Sequence, residues 1–426
     1  MLIIYSALRM GGIETFFVRL ARERYRQGLH TKVLLLANDN ESDPELLAQM
    51  EDVADIYRFN DLFHQFPILK HRFKLFSPMK NNNVLRVLEG VTQVHVSNAE
   101  NALLADRLIN IANACIPITV GVYHSLEFSW GGKSLPHFEN INRKFVLQHL
   151  PDANLMCFAE STKEFMQRKH SLPIKNAKVF RLGVVSGSTP TLLNDGASSS
   201  KVGYREQLKI CTVGRLVEFK SYNLWMLDVV KELVDMGLPV VFDIYGEGPL
   251  SDEVYSKIQK LGIDNAVKMM GTFEYSKFND VVREYDLFVG SGTAIIQASF
   301  CGVPSIIGIE SIPEPVSYGF FSDFSEYEYH HPTLNFPKKS VVDIIANYYQ
   351  LDVAHKHAIA KHHIKAAEMF SMAEVVRNFE LPYLVSSKRF RYSKVSYYFS
   401  EKLFDIKHKL SGIRVDYTKT KFTDDT

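Results

Sequence analysis

The chain lacks the features that mark several large classes of protein. Its charges nearly balance, with 49 Lys and Arg against 48 Asp and Glu, so no global field attracts nucleic acid. No run approaches the roughly 18–20 apolar residues that span a bilayer. The opening MLIIYSALRMGG has no basic segment and predicts a strand and a glycine turn, so we expect a cytoplasmic protein without a signal peptide. Four cysteines without disulfide or zinc-site spacing predict reduced thiols: Cys115, Cys157, Cys211 and Cys301.

At 426 residues the chain is long enough for two domains of roughly 150–200 residues each. Short β-rich apolar runs alternate with longer segments of helical spacing, a pattern typical of βαβ units and parallel sheets. The fold prediction is α/β, with two Rossmann-like, doubly wound domains facing across a cleft and a helical segment towards the carboxyl terminus. The predicted strands lie at residues 2–6, 31–36, 53–57, 94–96, 116–122 and 153–158, and again at 209–213, 240–245, 266–270, 286–289 and 304–307.

Composition predicts where these domains begin and end. Residues 186–200 are rich in Gly and Ser and have no periodicity, which is typical of a linker. The remaining patterns predict helices that cross back to the first domain and then a basic, aromatic tail. The predicted divisions are a first domain at 1–185, a linker at 186–204, a second domain at 205–355, crossing helices at 356–385 and a tail at 386–426.

Two glycines, Gly11 and Gly12, stand between the first predicted strand and the first helix. Glycine lets a ligand approach the backbone closely, and a helix amino terminus offers free N–H groups to a phosphate. A plain tight turn fits the same residues equally well. The spacing is not GxGxxG and no acidic residue clearly follows the second strand, so a nicotinamide site is disfavoured.

The loop VGRLVEFK, after the first strand of the second domain, carries two cations. Arg215 offers a fork of donors and Lys220 a point charge, and together they suit a diphosphate. An exposed basic loop without a ligand is the alternative. The next strand ends in YGEGP, where a glycine turn at Gly246 and a helix-initiating proline explain the pattern whether or not a ligand is touched.

A third glycine turn, VGSGTA, ends a strand and opens a short apolar helix at Gly292, Thr293 and Ala294. The amides at such a helix start suit a phosphate. Gln297 lies one turn into the helix and can hydrogen-bond a sugar hydroxyl. A buried helix that merely joins two strands is compatible with the same pattern.

Taken in order, GGIETFFVRLA, VGRLVEFK, IYGEGP, YDLFVGSG and QASFCGVPSI resemble the motifs of glycosyltransferase family 4, retaining nucleotide-sugar transferases of GT-B fold. The resemblance covers about residues 1–385, and the ordered set is far more specific than any one motif. It implies an acceptor side in the first domain and a donor side in the second. The implied reaction moves a sugar, with retention, from a UDP- or GDP-linked donor to a glycan or lipid-linked glycan. Synthesis of a surface polysaccharide, capsule or lipopolysaccharide is the implied setting.

The resemblance also implies roles for particular residues. The implied catalytic residues are His124, Arg215 and Lys220, of which the histidine lies where the family often has one near the transferred sugar. A lone histidine at a strand end is otherwise more often structural. Thr272 and Phe273 fall where the nucleotide base meets the backbone. The implied donor-binding residues are Gly11, Gly12, Arg215, Lys220, Gly246, Thr272, Phe273, Gly292, Thr293, Ala294 and Gln297.

One departure from the family pattern concerns its usual pair of glutamates, eight positions apart. Val289 and Gln297 stand in their places, so one position is apolar and the other uncharged. No Asp-x-Asp cluster is placed for a metal, and no metal or cofactor is predicted beyond the nucleotide-sugar co-substrate. Cations and helix-end amides would then stabilise the leaving diphosphate. Because these carboxylates are missing, an alternative hypothesis is a non-catalytic GT-B protein that binds a nucleotide or glycan as a scaffold. A GT-B epimerase or phosphorylase is a third hypothesis, although no cofactor lysine site for a phosphorylase is found.

Basic and aromatic residues are mixed in the segment 388–409, and again in 70–76. Such segments suit an anionic membrane surface, with aromatic rings at the interface and cations over the headgroups. We therefore predict peripheral attachment to the inner face of the cell membrane through 388–409. A solvated helix face or a flexible tail is the alternative, and nucleic acid is a poorer partner because no recognition module accompanies the charge.

Overall fold

The computed structural model describes residues 1–9, 11–64, 73–123, 128, 135–170, 174–186, 207–324, 329–330, 332, 334–386 and 389–411. The chain forms two compact units. Unit 1 comprises Met1–Gly183 and Met372–Thr426, and unit 2 comprises Val184–Ser371. The chain thus returns to unit 1 within the segment predicted to cross back. The predicted linker lies outside the described residues except for Ser186.

Unit 1 is built on a parallel sheet. Its described strands are β1 (Leu2–Tyr5), β2 (Lys32–Leu35), β3 (Asp55–Arg58), β4 (Val94–Val96), β5 (Ile118–Val122), β6 (Leu155–Cys157) and β7 (Lys178–Val179). Their order in the sheet is β3-β2-β1-β4-β5-β6-β7. Successive side chains of β1 enter different cores, Leu2 and Ile4 on one face and Ile3 on the other. Both faces are therefore covered, which explains why the strands are continuous apolar runs in the sequence.

Side-chain caps start some of the helices in this part of unit 1, among them α2 (Pro44–Glu51). Asp43, for example, accepts the backbone N–H groups of Glu45 and Leu46 at 3.0 Å each, and Pro44 fills the first helical position of α2. The helices are α1 (Gly12–Arg26), α2 (Pro44–Glu51), α3 (Phe59–Leu62), α4 (Asn81–Leu88), α5 (Ala99–Ala112), α6 (His137–Lys144) and α7 (Glu160–His170).

Unit 2 repeats the architecture with a smaller sheet. Its strands are β8 (Leu208–Val213), β9 (Val240–Tyr245), β10 (Val267–Gly271), β11 (Leu287–Gly290) and β12 (Ser305–Ile307), with a separate antiparallel pair β13 (Val316–Ser317) and β14 (Lys339–Ser340). The main sheet has the order β10-β9-β8-β11-β12, with all its neighbours parallel. The helices are α8 (Tyr222–Asp235), α9 (Ser251–Leu261), α10 (Phe278–Val282), α11 (Gly292–Phe300), α12 (Val341–Gln350) and α13 (Val353–Glu368).

Each sheet reverses its strand order at one point. In unit 1, β1 pairs with both β2 and β4, and in unit 2, β8 pairs with both β9 and β11. In open parallel sheets, ligands bind beyond the carboxyl ends of the strands at this switch point. The loops that follow β8 and β11 are therefore the first candidates for a site in unit 2.

The chain continues into two further helices that belong to unit 1, α14 (Met372–Phe379) and α15 (Lys394–Ser411). Tyr397 and Tyr398 of α15 are buried in the same core as β4 and β5. The Tyr398 hydroxyl accepts the Leu75 N–H at 2.9 Å and donates to the Glu100 carboxylate at 3.2 Å. In its described part, the predicted basic and aromatic tail at 386–426 thus packs into unit 1, because these two rings face inward. Among the described helices, none is long and apolar enough to cross a membrane.

Candidate functional site

The loop after β8 holds its two cations close to a glycine. The Lys220 Nζ lies 2.8 Å from the place where a Cβ on Gly214 would stand, so the absence of a side chain there leaves room for the ammonium group. Arg215 is exposed. Within the described part of the chain, no carboxylate forms an ion pair with either cation. Two cations on one loop, neither paired with a carboxylate of the described residues, favour the binding of an anion.

Gly246 fixes this loop from the neighbouring strand. Its φ is +140°, and a Cβ there would collide with the Gly214 carbonyl oxygen. The two loops are also joined by the Gly214 N–H, which donates to the Tyr245 carbonyl at 2.9 Å, and by the Leu216 N–H, which donates to the Glu247 carbonyl at 3.0 Å. Close backbone packing therefore requires glycine here. Donor contact by Gly246 stays a prediction.

Helix α11 starts at the neighbouring strand end with its first amides uncapped. Gly292 has a φ of +63°, and its carbonyl accepts the Tyr329 hydroxyl at 2.6 Å. Ser291 stands at the cap position, but its hydroxyl donates to Glu310 at 2.6 Å instead of capping the helix. The predicted positions Thr293 and Ala294 follow in the first turn, half-buried. The amides here are thus available to an anion, and the helix dipole favours one.

The predicted base-binding residues follow β10 at the same edge. The Gly246 N–H donates to the Gly271 carbonyl at 2.8 Å, which ties the ends of β9 and β10 together. Thr272 is exposed and Phe273 half-buried, with the Phe273 ring edge-on to Tyr245 at 5.2 Å between centroids. The strand ends of unit 2 thus bring together Arg215, Lys220, Gly246, Thr272, Phe273, Gly292, Thr293 and Ala294. Their contacts with a ligand stay predictions.

The two positions aligned with the family glutamates differ in what they can reach. Val289 lies inside β11 and is 0% exposed, so its side chain packs in the core. Gln297 is half-buried on α11, and its Nε2 donates to Asn279 Oδ1 at 3.0 Å. Neither position supplies a carboxylate. A ribose contact by Gln297 stays a prediction, and it requires that the amide share or leave Asn279.

In unit 1, the glycine turn before α1 is occupied by a carboxylate. Glu14 folds back beside Gly11, and its Oε1 accepts the Tyr5 hydroxyl at 3.0 Å. A negative charge near a helix amino terminus interacts favourably with the helix dipole. A phosphate at Gly11 and Gly12 would have to displace or avoid this carboxylate, so their donor role stays a prediction.

His124 lies outside the described residues, but the residue before it is well fixed. The Tyr123 hydroxyl pairs with His95 Nε2 at 2.7 Å, and His95 Nδ1 pairs with Thr119 at 3.0 Å. Complete burial lowers the pKa of His95 to about 3, so the ring is neutral at pH 7. Sequence reasoning missed this network, because its members come from β4, from β5 and from the position just after β5, and share no local motif. The catalytic role of His124 stays a prediction.

Other missed residues lie around Glu310, shortly after the end of β12. Its contacts come from Ser291, 19 positions earlier, and from His330 further along the chain. A carboxylate just past a strand end is a signal that the sequence does contain. Among the described residues, no group of three or more His, Cys, Asp or Glu is placed to hold a metal ion. Independence of a metal stays a prediction.

No family model matches the chain. It is similar to the Bacillus subtilis protein named "Putative glycosyltransferase EpsF", with 26% identity over 174 residues, 39% of this chain and 42% of that one. It is also similar to a subunit of the human phosphatidylinositol N-acetylglucosaminyltransferase, with 22% identity over 324 residues, 72% of this chain and 60% of that one. The chain thus spans less than two thirds of the length of both relatives.

Solved structures match over more of the chain. HepE of Anabaena, solved with UDP, has a TM-score of 0.59 at 14% identity, covering 89% of this chain and 97% of that one. TarM of S. aureus, solved as a point mutant with fondaparinux, alpha-GlcNAc-glycerol and UDP, has a TM-score of 0.55 at 12% identity, covering 89% and 98%. A glycosyltransferase of Rickettsia africae has a TM-score of 0.55 at 12% identity, and the match covers 97% of this chain and 98% of that one. Identities this low show the fold alone, and that fold is GT-B, as predicted.

Proposed function

We propose that this chain is a glycosyltransferase that takes its sugar from a UDP-linked donor bound at the strand ends of unit 2. One observation carries the proposal. Arg215, Lys220 and the uncapped start of α11 follow β8 and β11, two neighbouring strands at the switch point. This arrangement suits a diphosphate. Other proteins also support the proposal. Both curated relatives are named as glycosyltransferases, and HepE was solved with UDP.

The proposed chemistry follows from what these groups do to a leaving diphosphate. The bond from the anomeric carbon to the diphosphate oxygen breaks, and the electron pair leaves with the diphosphate. A new bond forms to an acceptor hydroxyl oxygen, whose proton goes to the diphosphate. Negative charge therefore develops where Arg215, Lys220 and the α11 amides offer donors, which lowers the barrier without a metal ion.

The finer parts of the proposal concern stereochemistry and acceptor. We infer retention at the anomeric carbon, and a glycan or lipid-linked glycan as acceptor in the synthesis of a surface polysaccharide. Support for these points is the motif resemblance over residues 1–385. Product analysis by NMR tests retention, because the anomeric proton of the new linkage has a different coupling constant in each configuration.

We also infer contact with an anionic membrane surface, through the exposed face of α15. Four apolar side chains at helical spacing lie on that face, Val395, Phe399, Leu403 and Ile406, each more than half exposed. The segment 388–409 contains seven basic residues against two acidic ones, in a chain of net charge +1. Apolar side chains beside a basic excess suit acidic lipid headgroups, at about 1 kcal/mol per cation near the surface.

Point variants test the membrane contact without touching the core. Replacing Phe399 and Leu403 together by serine should reduce co-sedimentation with vesicles that contain phosphatidylserine. Binding of the wild type should fall as salt rises. Equal sedimentation of both proteins at low and high salt would contradict this assignment of the surface.

A thermal-shift panel tests the central proposal. UDP-, GDP- and ADP-linked sugars are added in turn, and a donor present at 100 times its Kd stabilises the folded state by about 2.7 kcal/mol. We expect the UDP sugars to raise Tm most. A larger rise in Tm with GDP sugars would show that the donor base is guanine. No change in Tm with any of these sugars at millimolar concentration would remove the proposed function.

The second candidate is a GT-B protein that binds the nucleotide without catalysis. It is favoured by the two aligned positions that lack a carboxylate, Val289 in the core and Gln297 beside Asn279. Donor hydrolysis separates the two candidates, because transferases with a bound donor often release free sugar slowly. Free sugar formed by wild type and lost in Lys220→Ala supports the enzyme. Donor binding without any release or transfer, with a range of acceptors, supports the scaffold.

A further inference from the structure

Glu310 is a carboxylate held at the same strand ends as the candidate donor site. It lies beyond β12, and its side chain is 21% exposed. Its Oε1 accepts the hydroxyl of Ser291, the residue before α11, at 2.6 Å. Its Oε2 lies 3.9 Å from His330 Nε2, and its own N–H donates to the His330 carbonyl at 3.0 Å. The carboxylate is therefore oriented by contacts at both oxygens, while part of it stays open to solvent.

The backbone around Glu310 is tied to the loop that carries the cations. Ser311 has a φ of +60°, in the left-handed region, and its N–H donates to the Phe219 carbonyl at 2.7 Å. The Ile312 N–H donates to Ser221 Oγ at 3.2 Å. Phe219 and Ser221 flank Lys220 in the sequence. The position of Glu310 relative to Lys220 is thus set by two hydrogen bonds and not by a free loop.

A carboxylate is a hydrogen-bond acceptor only, so the groups of a nucleotide-sugar that it can bind are hydroxyls. A nucleotide-sugar offers pairs of adjacent hydroxyls at two places, its ribose and its transferred sugar. Glu310 is already oriented before a ligand arrives, because Ser291 and His330 contact its two carboxylate oxygens. A ligand that binds Glu310 therefore does not have to order a mobile side chain, and the smaller loss of conformational entropy favours binding.

We propose that Glu310 accepts hydrogen bonds from adjacent hydroxyls of the donor, and so supplies the carboxylate that Val289 and Gln297 do not. This inference depends on the proposed donor site in unit 2. Ser291 and His330 act as positioning residues for the carboxylate. The same contact would make the site select donors whose hydroxyl pair is intact.

Calorimetric titration of Glu310→Gln with three ligands tests the inference: UDP, UDP-glucose and 2′,3′-dideoxy-UDP. Gln keeps the shape and one acceptor but removes the charge, and we expect about tenfold weaker binding of UDP-glucose. If the hydroxyls are those of ribose, UDP should weaken equally and the dideoxy compound should not change. If they belong to the sugar, only UDP-glucose should weaken. Ser291→Ala should show the same pattern with a smaller effect.

Glu314→Gln is the matched control, since Glu314 is an exposed glutamate shortly after Glu310 in the sequence. It should bind all three ligands as the wild type does. Unfolding curves check that Glu310→Gln is folded, and Glu310→Asp provides a second variant that keeps the charge. Equal affinities of wild type and Glu310→Gln for UDP-glucose would overturn the role of Glu310 alone. Failure of the wild type to bind any nucleotide or nucleotide-sugar would overturn the proposed function with it.

Discussion

Tyr397→Ala is expected to destabilise unit 1 strongly, although the residue lies in the last helix that the structure describes. Its side chain is 1% exposed, and its hydroxyl donates to Asn142 Oδ1 at 3.1 Å. The ring also packs edge-on against Phe138, at 5.9 Å between centroids. Loss of a buried aromatic ring typically costs about 3–5 kcal/mol, and loss of its hydroxyl leaves a buried acceptor unpaired. That is a large part of the roughly 5–15 kcal/mol that stabilises a domain.

Phe399→Ala is the matched control, because it removes a ring from the same helix, just beyond Tyr397 and Tyr398. Phe399 is 66% exposed, so its loss should change the free energy of unfolding by less than about 0.5 kcal/mol. Hydrogen exchange followed by mass spectrometry is the right assay, since it reports the stability of unit 1 separately from that of unit 2. Faster exchange in β4 and β5 of Tyr397→Ala, but not of Phe399→Ala, is the expected outcome. Equal exchange in both variants would show that α15 does not stabilise unit 1.

Truncation of the chain would disturb the core as well as the surface of unit 1. Deleting every residue after Ser386 removes Tyr397 and Tyr398 from the core and the partner of the Leu75 N–H. Loss of vesicle binding after such a truncation would therefore mix unfolding with loss of the surface. The substitutions at Phe399 and Leu403 separate these two effects.

Three further outcomes are expected. In steady-state kinetics, Gln297→Ala should lower kcat/KM for the donor about tenfold, while Gln297→Glu should keep the wild-type value. Equal kcat/KM in the wild type and both variants would remove Gln297 from the site. EDTA should leave activity nearly intact, since protein cations neutralise the diphosphate in the proposed mechanism, and a strict need for Mg²⁺ or Mn²⁺ would contradict it. Burial, with a smaller effect from Glu100, raises the pKa of Glu401 to about 7. Stability should therefore fall as pH rises from about 4.5 to 7, because the unfolded state releases this proton while the folded state still holds it. In urea titrations, Glu401→Gln should remove this loss of stability. At pH 8 the variant should be about 1 kcal/mol more stable than the wild type, a small difference because the side chain is partly exposed, and at about pH 4 the two proteins should be equally stable. An equal difference in stability at both pH values would refute the assignment.

The fold was predictable because buried parallel strands leave a local signal. The predicted strand at 240–245 is β9 as observed, and that at 304–307 differs from β12 by one residue. Each is a short apolar run that ends at a turn, and burial on both sheet faces gives it that composition. The two-residue strand β7 was missed, since Lys178 and Val179 are too few to show any pattern. Aromatic content predicted an interfacial tail at α15, but only the packing shows which rings face inward.

The candidate site was predictable in part for a similar reason. Arg215 and Lys220 share one loop, so their proximity follows from the sequence. Glu310 meets Ser291 and His330 only through the fold, and no local spacing brings these three residues together. Val289 ends the predicted strand at 286–289, and the structure places it inside β11, but only the packing shows that its side chain is buried in the core.

Calorimetric titration of the donor nucleotide into four proteins tests the central claim most directly. The proteins are wild type, Arg215→Ala, Lys220→Ala and, as control, Lys231→Ala, which removes an exposed cation of the same unit that is already paired with Asp235. A hydrogen bond to a charged group contributes about 1.5–3 kcal/mol, so Arg215→Ala and Lys220→Ala should each weaken UDP binding roughly 10- to 150-fold. The control should bind as the wild type does, and all four should have similar Tm values. Equal affinity for UDP in all four proteins would contradict a donor site at the strand ends of unit 2.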